Sequence, residues 1–254
     1  MPCRFCQCDF GPEGSQKRTK EHIFGDWTTP FLKIPGRPGT QVRWRETEGG
    51  KDQSSYPAYP AQQTVNGVCH ECNSGWLSRI QTAAKPFLLP ALKSHKRRSY
   101  GESAQEAMAL WAFRAALMAG ARAGPAAVPE AHLHDFYESR KPPDSCRIWI
   151  AATPYRQFTY VNHVAFKVFL EDAEPPPSVN AFMDVLGIGH IAFCVLHWSD
   201  VKPNAGMRQL HGEFGGALTP IWPTTQPIQW PPSKTVTYKG LDRIGGLCGV
   251  QPGV

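Results

Sequence analysis

The residues best placed to do chemistry in this chain are four cysteines, a Glu-His pair and two asparagines, all within the first 73 positions. Cys3 and Cys6 form one C-x-x-C pair, and Cys69 and Cys72 form a second, with 62 residues between Cys6 and Cys69. A tight turn aims both thiolates of such a pair the same way, so two pairs offer four soft ligands in tetrahedral array. That set suits a structural Zn²⁺ and leaves no open coordination position. The competing reading is that one or both pairs are ordinary buried cysteines. Paired knuckles in a compartment that keeps thiols reduced favour the metal. Cys8 is a spare beside the first pair, and His70 reads as a spacer inside the second. Cys146, Cys194 and Cys248 read as core or isolated residues.

Glu21-His22-Ile23 stands between the two pairs, Asn66 just before the second, and Asn73 directly after Cys72. Metal-assisted hydrolysis needs an activated water and a cation that carries the leaving charge. A histidine can take the water proton near neutral pH. Oxygen ligands such as Glu and Asn suit Mg²⁺ or Mn²⁺. Each residue alone is commonplace: a lone His is more often a surface or satisfied histidine, and Asn73 could cap the helix that follows. Their order around two knuckles is the specific feature.

The pattern C-x-x-C, then Glu-His-Ile, then Asn-Gly-Val-Cys-x-x-Cys-Asn resembles the HNH endonucleases of the ββα-metal type. More narrowly, it is similar to a bacterial and phage group with an EHI first motif and a C-x-x-C-N-x-G-W second motif. The clear likeness covers residues 1–92; a looser one runs through KPFLLPAL and Leu110-Trp111-Ala112. The resemblance implies a zinc-clamped nuclease fold cutting DNA, possible action on RNA, and one catalytic divalent ion, Mg²⁺ or Mn²⁺. It makes His22 the general base, Glu21 and Asn73 the ligands of that ion, and Asn66 the residue that orders the loop holding the base. A binding module or assembly partner without cutting activity is the alternative. The chain departs from the common pattern in three places. It has no Gly-Gly soon after His22, Gly75-Trp76 replaces the usual Lys, and Glu21 replaces the commoner Asp.

Charge agrees with a polyanionic partner. Residues 1–100 hold 15 Lys and Arg against 8 Asp and Glu, whereas residues 101–254 hold 12 against 13. The whole basic surplus lies in the half with the cysteine pairs. Lys93, Lys96, Arg97 and Arg98 form a basic turn, and Arg43 and Arg45 line one face of a strand expected over 41–47. These are the candidate DNA contacts, gripping phosphates without reading sequence. Otherwise they are a solvated face. No run of about 18 apolar residues suggests a membrane span, and MPCRFCQCDF lacks a signal-type apolar core. A cytoplasmic protein is therefore expected, as a homodimer or a member of a larger phage or defence assembly.

These residues need elements to hold them. The fold class expected is α+β: a zinc-stapled ββα-metal nuclease domain over 1–100, then an accessory α+β domain over 101–254 with helices and an antiparallel sheet. A brief strand should end near Glu21-His22. SSYPAYPAQQ reads as extended loop. Residues 76–92 have helical spacing interrupted by Pro86 and Pro90. Ser103 with Glu106 reads as a capping box for a helix ending at Gly120, with Ala104, Met108, Trp111, Ala115 and Met118 on its buried stripe. A shorter helix is expected over 129–140. Strands are expected over 146–153, 158–170 and 185–198, and the Pro- and Trp-rich stretch 220–232 as an arm on the surface.

Overall fold

The computed structural model describes residues 2–11, 16–29, 39–47, 50–58, 63–124, 127–156, 159–169, 178–198, 213–224 and 226–247, with the backbone alone at 39–47, 50–58, 166–169 and 178–180. It is α+β. In chain order the first elements are β1 (Arg18–His22), the hairpin β2 (Gly39–Thr47) and β3 (Gly50–Ala58), β4 (Thr64–Cys69) and α1 (Ser78–Lys93). Next come β5 (Arg98–Tyr100), α2 (Glu102–Ala123), α3 (Glu130–Ser139), β6 (Arg147–Ala152), β7 (Thr159–Phe169), β8 (Ser178–Ile188) and β9 (Ile191–Trp198). The chain closes with β10 (Leu218–Trp222), β11 (Ile228–Trp230) and α4 (Tyr238–Leu247).

β1 and β4 pair antiparallel, and a π-type turn over Cys72–Leu77 leads into α1. Arg43 and Arg45 lie on β2, but their side chains fall outside the described residues. The stretch read as loop after them is in part strand: β3 takes Ser54 to Ala58 into a full ladder with β2. Cross-strand pairing there overrides the local Pro and Ser signals.

The larger part of the chain wraps a five-stranded antiparallel sheet in the order β10-β6-β9-β8-β7. Its side chains alternate between two apolar layers, as period-2 strands dictate. Ile148, Ile150, Phe193 and Val195 face α2 in one layer, while Trp149, Ala151, Cys194 and Leu196 join Leu241 and Ile244 of α4 in the other. The segment expected as one strand over 185–198 is two, because Gly189, at φ 54°, turns the chain between β8 and β9.

Three helix expectations need correction. α1 runs unbroken through Pro86 and Pro90. Its buried stripe of Ile80, Ala84, Leu88, Ala91 and Leu92 holds it, and each proline frees the carbonyl four residues back, at exposed Thr82 and exposed Pro86. α2 starts at Glu102 after Gly101, with no side-chain cap from Ser103. It also passes Gly120 and ends at Ala123. Gly120 serves packing instead: a Cβ there would collide with Val128 and stand 2.7 Å from His163. The expected stripe of α2 is buried, with Met108, Trp111, Ala115 and Met118 at 0% exposure.

The segment expected as a surface arm is paired into strands, with Ile221, Ile228 and Trp230 buried while Pro220, Pro223, Pro227 and Gln229 stay exposed. β11 pairs with β5, β10 edges the main sheet, and Trp230 is 1% exposed. One apolar cluster runs from Cys3 and Phe5 through α1 and α2 to Phe193 and Trp230, across the boundary expected at residue 100. Among the described residues, no helix is long and apolar enough to cross a membrane.

Candidate metal centre and strand-end site

The four cysteines converge. The Sγ atoms of Cys3, Cys6, Cys69 and Cys72 all lie within 4.8 Å of one another, and Cys6 Sγ stands 3.7 Å from Cys69 Sγ. Ligands about 2.3 Å from a tetrahedral centre stand about 3.8 Å apart, so the spacing fits one metal ion. Backbone geometry prepares the site. Cys3 and Cys8 are joined by an N–H to carbonyl bond of 2.9 Å, the Arg4 N–H reaches the Gly67 carbonyl at 3.0 Å, and Gly67 adopts φ 90° at the bulge in β4. The N–H groups of Cys69 and Cys72 donate to the sulfurs of Cys3 and Cys69, both at 3.3 Å. A hydrogen bond from the Cys72 thiol holds Cys3 down to about 4, while Cys72, sharing that proton with Cys3 and buried, is pushed far up. Burial pushes Cys69 up to about 11. Such a cluster resists losing all its protons unless a cation joins it. Cys8 is exposed, and His70 bonds Ser74 on the outside. Cys146 and Cys194 are buried, as expected; Cys248 lies outside the described residues.

Trp76 anchors the second knuckle in an aromatic cage. Its ring meets Phe5 edge-on at 5.2 Å and Phe136 of α3 at 5.3 Å, with the Arg140 guanidinium 4.2 Å above it. His134 of α3 bonds the Phe5 carbonyl at 2.9 Å. The knuckles are therefore packed against elements well beyond residue 100.

The pairing of β1 with β4 sorts the other candidates onto two faces. Lys20 lies opposite Asn66 and His22 opposite Thr64, while Glu21 lies opposite Val65. Cross-strand partners share a face, so His22 and Asn66 fall on the open one. The His22 side chain is 27% exposed, and its Nε2 lies 3.1 Å from Asp26 Oδ1. Asn73 Nδ2 donates to Thr19 Oγ1 at 2.9 Å and to the Lys20 carbonyl at 3.0 Å, tying the start of the helical segment to β1. That use of Asn73 is a cross-link rather than a helix cap.

Glu21, expected as a metal ligand, lies on the opposite, buried face. It is 2% exposed, and its Oε1 is ion-paired with Arg114 Nη2 and accepts from Gln81 Nε2 at 3.2 Å. Arg114 is fully buried in α2. It also donates from Nη1 to the Ile23 carbonyl at 3.0 Å and from Nη2 to the His22 carbonyl at 2.5 Å. Burial pulls its guanidinium down to about 9, which leaves it charged at neutral pH. A divalent cation would have to displace that charge to reach Glu21.

Arg114, Gln81 and Asp26 escaped sequence reasoning. One signal existed for Arg114, a single charge inside the apolar run LWAFRAALMAG, which calls for a buried partner. Gly25 was another: at φ 79° it turns the chain into Asp26, and a Cβ there would strike Gln81. Of the basic candidates, Lys93, Lys96 and Arg97 are exposed, whereas Arg98 is half-buried in β5 with its Nε shielded from solvent. Compared with protein-family models, with curated proteins and with solved structures, the chain gives no match.

Proposed function

We propose that this protein is a metal-dependent endonuclease of the HNH kind, hydrolysing DNA phosphodiester bonds with His22 as general base. The observation that carries the reading is the ββα unit itself. His22 and Asn66 share the open face of the β1–β4 pair, and the next segment, bearing Asn73, is stapled to that pair by the four-cysteine cluster. Zinc is the ion proposed for the cluster, since four thiolates close a tetrahedral site. Asp26 Oδ1 stands 3.1 Å from His22 Nε2; in this reading it keeps the proton on Nε2, and Nδ1 takes the proton from water. Glu21 does not fit a catalytic cation. Oxygens of Asp26, Asn73 and the phosphate would hold Mg²⁺ or Mn²⁺, which supplies neutralisation of the leaving oxygen.

The second reading, a zinc-stapled nucleic-acid-binding module without cutting activity, has the engagement of Glu21 by Arg114 in its favour. Incubating the zinc-loaded protein with plasmid and Mg²⁺, Mn²⁺ or EDTA separates the two. The endonuclease nicks or linearises plasmid with the added ion and not with EDTA. His22→Ala then lowers the rate about a hundred- to ten-thousand-fold, with zinc content and melting temperature retained. A wild type that leaves plasmid intact with every ion, or an H22A protein that cuts at full rate, sinks this proposal.

A further inference from the structure

Four thiolates around one Zn²⁺ carry an excess of negative charge, and a centre that holds them away from water must supply hydrogen-bond donors instead. The burial of each sulfur shows where donors are needed. Cys3, Cys69 and Cys72 are buried, whereas Cys6 keeps partial access to solvent. Backbone N–H groups serve two of the three buried cysteines. Cys69 N–H donates to Cys3 Sγ and Cys72 N–H to Cys69 Sγ, both at 3.3 Å. Among the described residues, no backbone N–H donates to Cys72 Sγ.

One donor stands over at that place. Trp76 Nε1 is shielded from solvent and makes no hydrogen bond of good geometry. A buried N–H left so is a standing cost to the fold and calls for an explanation. Its side chain acts on Cys72, where it favours the thiolate against the proton that Cys72 shares with Cys3. A thiol is a weak acceptor, whereas a thiolate draws a charge-assisted bond. Packing keeps the indole there. Phe5 and Phe136 meet it edge-on at 5.2 Å and 5.3 Å, and Tyr137 stands 5.9 Å away. Arg140, turned back at φ 57° after α3, sets its guanidinium 4.2 Å from the ring.

We infer that Trp76 is a positioning residue for the metal, its indole N–H donating to the Cys72 thiolate when a cation takes the place of the shared proton. The donor set is then complete. Cys3 and Cys69 each take a backbone N–H, Cys72 takes the indole, and water reaches Cys6. Partners of this kind orient the ligands and tune the metal that they hold. The inference rests on the zinc reading of the cluster and is independent of DNA cleavage.

Co²⁺ in place of zinc gives the test a spectroscopic readout. A donated N–H lowers the energy of a sulfur lone pair, so its loss moves the sulfur-to-cobalt charge-transfer band to longer wavelength. The full chain is loaded with Co²⁺ for spectra, and its zinc affinity is measured against a chromophoric chelator. Trp76→Phe keeps a ring and drops the N–H. It should move the band to longer wavelength and weaken zinc binding about 10- to 100-fold. Replacing Trp76 by its benzothiophene isostere, which keeps the shape and lacks the N–H, should move the band the same way, even where the Phe variant fails to fold. Phe136→Leu loosens the cage and leaves the N–H, so it should lower the melting temperature with the band unmoved. The inference is overturned if the isostere leaves the band at its wild-type position, or if Phe136→Leu moves it as far. A wild type that takes up neither ion overturns it together with the zinc reading. A band shift in a protein that never cuts plasmid supports it and removes only the endonuclease.

Discussion

His197 shows how far a single residue can depart from its ordinary chemistry. It lies buried between Phe113 and Phe182, with the His132 ring 4.8 Å away. Burial, with the neighbouring His132 adding to it, pulls its imidazole down from 6.5 to about 3. The folded form therefore refuses a proton that the unfolded chain accepts. This group's stability is complete above pH about 6.5 and is lost as pH falls toward 3, by roughly 2 kcal/mol at pH about 5. His163 runs the opposite way. Burial alone would depress it, but the Asp184 carboxylate 3.0 Å from Nδ1 and the Ala127 carbonyl near Nε2 lift it. Its contribution is complete below 6.5 and declines above the raised value. Comparing wild type with His197→Leu isolates the first effect. Denaturant melts at pH 7 and 5 should show the wild type losing more stability than the variant, and equal losses would refute the burial argument.

At the scale of elements, the decisive contact is between β1 and α2. Arg114 gathers Glu21 and the carbonyls of His22 and Ile23 on one guanidinium. Removing either partner of a buried pair strands the other charge, at a cost of about 3–5 kcal/mol. Replacing both with apolar residues removes the stranded charge. Arg114→Leu and Glu21→Leu should each lower the unfolding free energy in denaturant by that order, and the double variant should recover a large part of the sum. Strict additivity of the two losses would show that the pair is not coupled. Because the clamp also fixes the backbone at His22, Arg114→Leu should slow the cutting proposed above, through kcat more than KM.

At the scale of the whole molecule, one apolar cluster of the described residues spans residue 100. The Phe5-Trp76 contact continues into Phe136, and the Arg4 guanidinium donates to the Ala121 carbonyl at 3.1 Å. A fragment of residues 1–100 lacks Arg114, Phe136 and the sheet that α2 covers. Expressed alone with zinc, it should give the circular dichroism and proteolysis of a poorly folded chain; a cooperative melt would contradict the shared core. Zinc should act through the same core. Metal analysis should find about one zinc per chain, and Cys69→Ser should lose it and melt many degrees lower, since binding and folding are linked at such a site. A zinc-free chain of full stability would overturn this.

Spacing alone was enough to announce the four-cysteine cluster, because each C-x-x-C fixes two thiolates through a local turn. The buried stripe of α2 was legible for the same reason, since a period of 3.6 is written in consecutive residues. The chain also announced the antiparallel β texture after residue 142, though not its register. Other features waited on the fold. Glu21 and His22 are adjacent in sequence, yet the pleat sends one inward to Arg114 and leaves the other outward beside Asp26. Gly120 reads as a helix end until His163 and Val128 are seen packed against it. Pro86 and Pro90 read as breaks until the stripe opposite them is seen buried against α2. In each case the deciding partner lies far along the chain, where local propensity carries no information and only packing can choose.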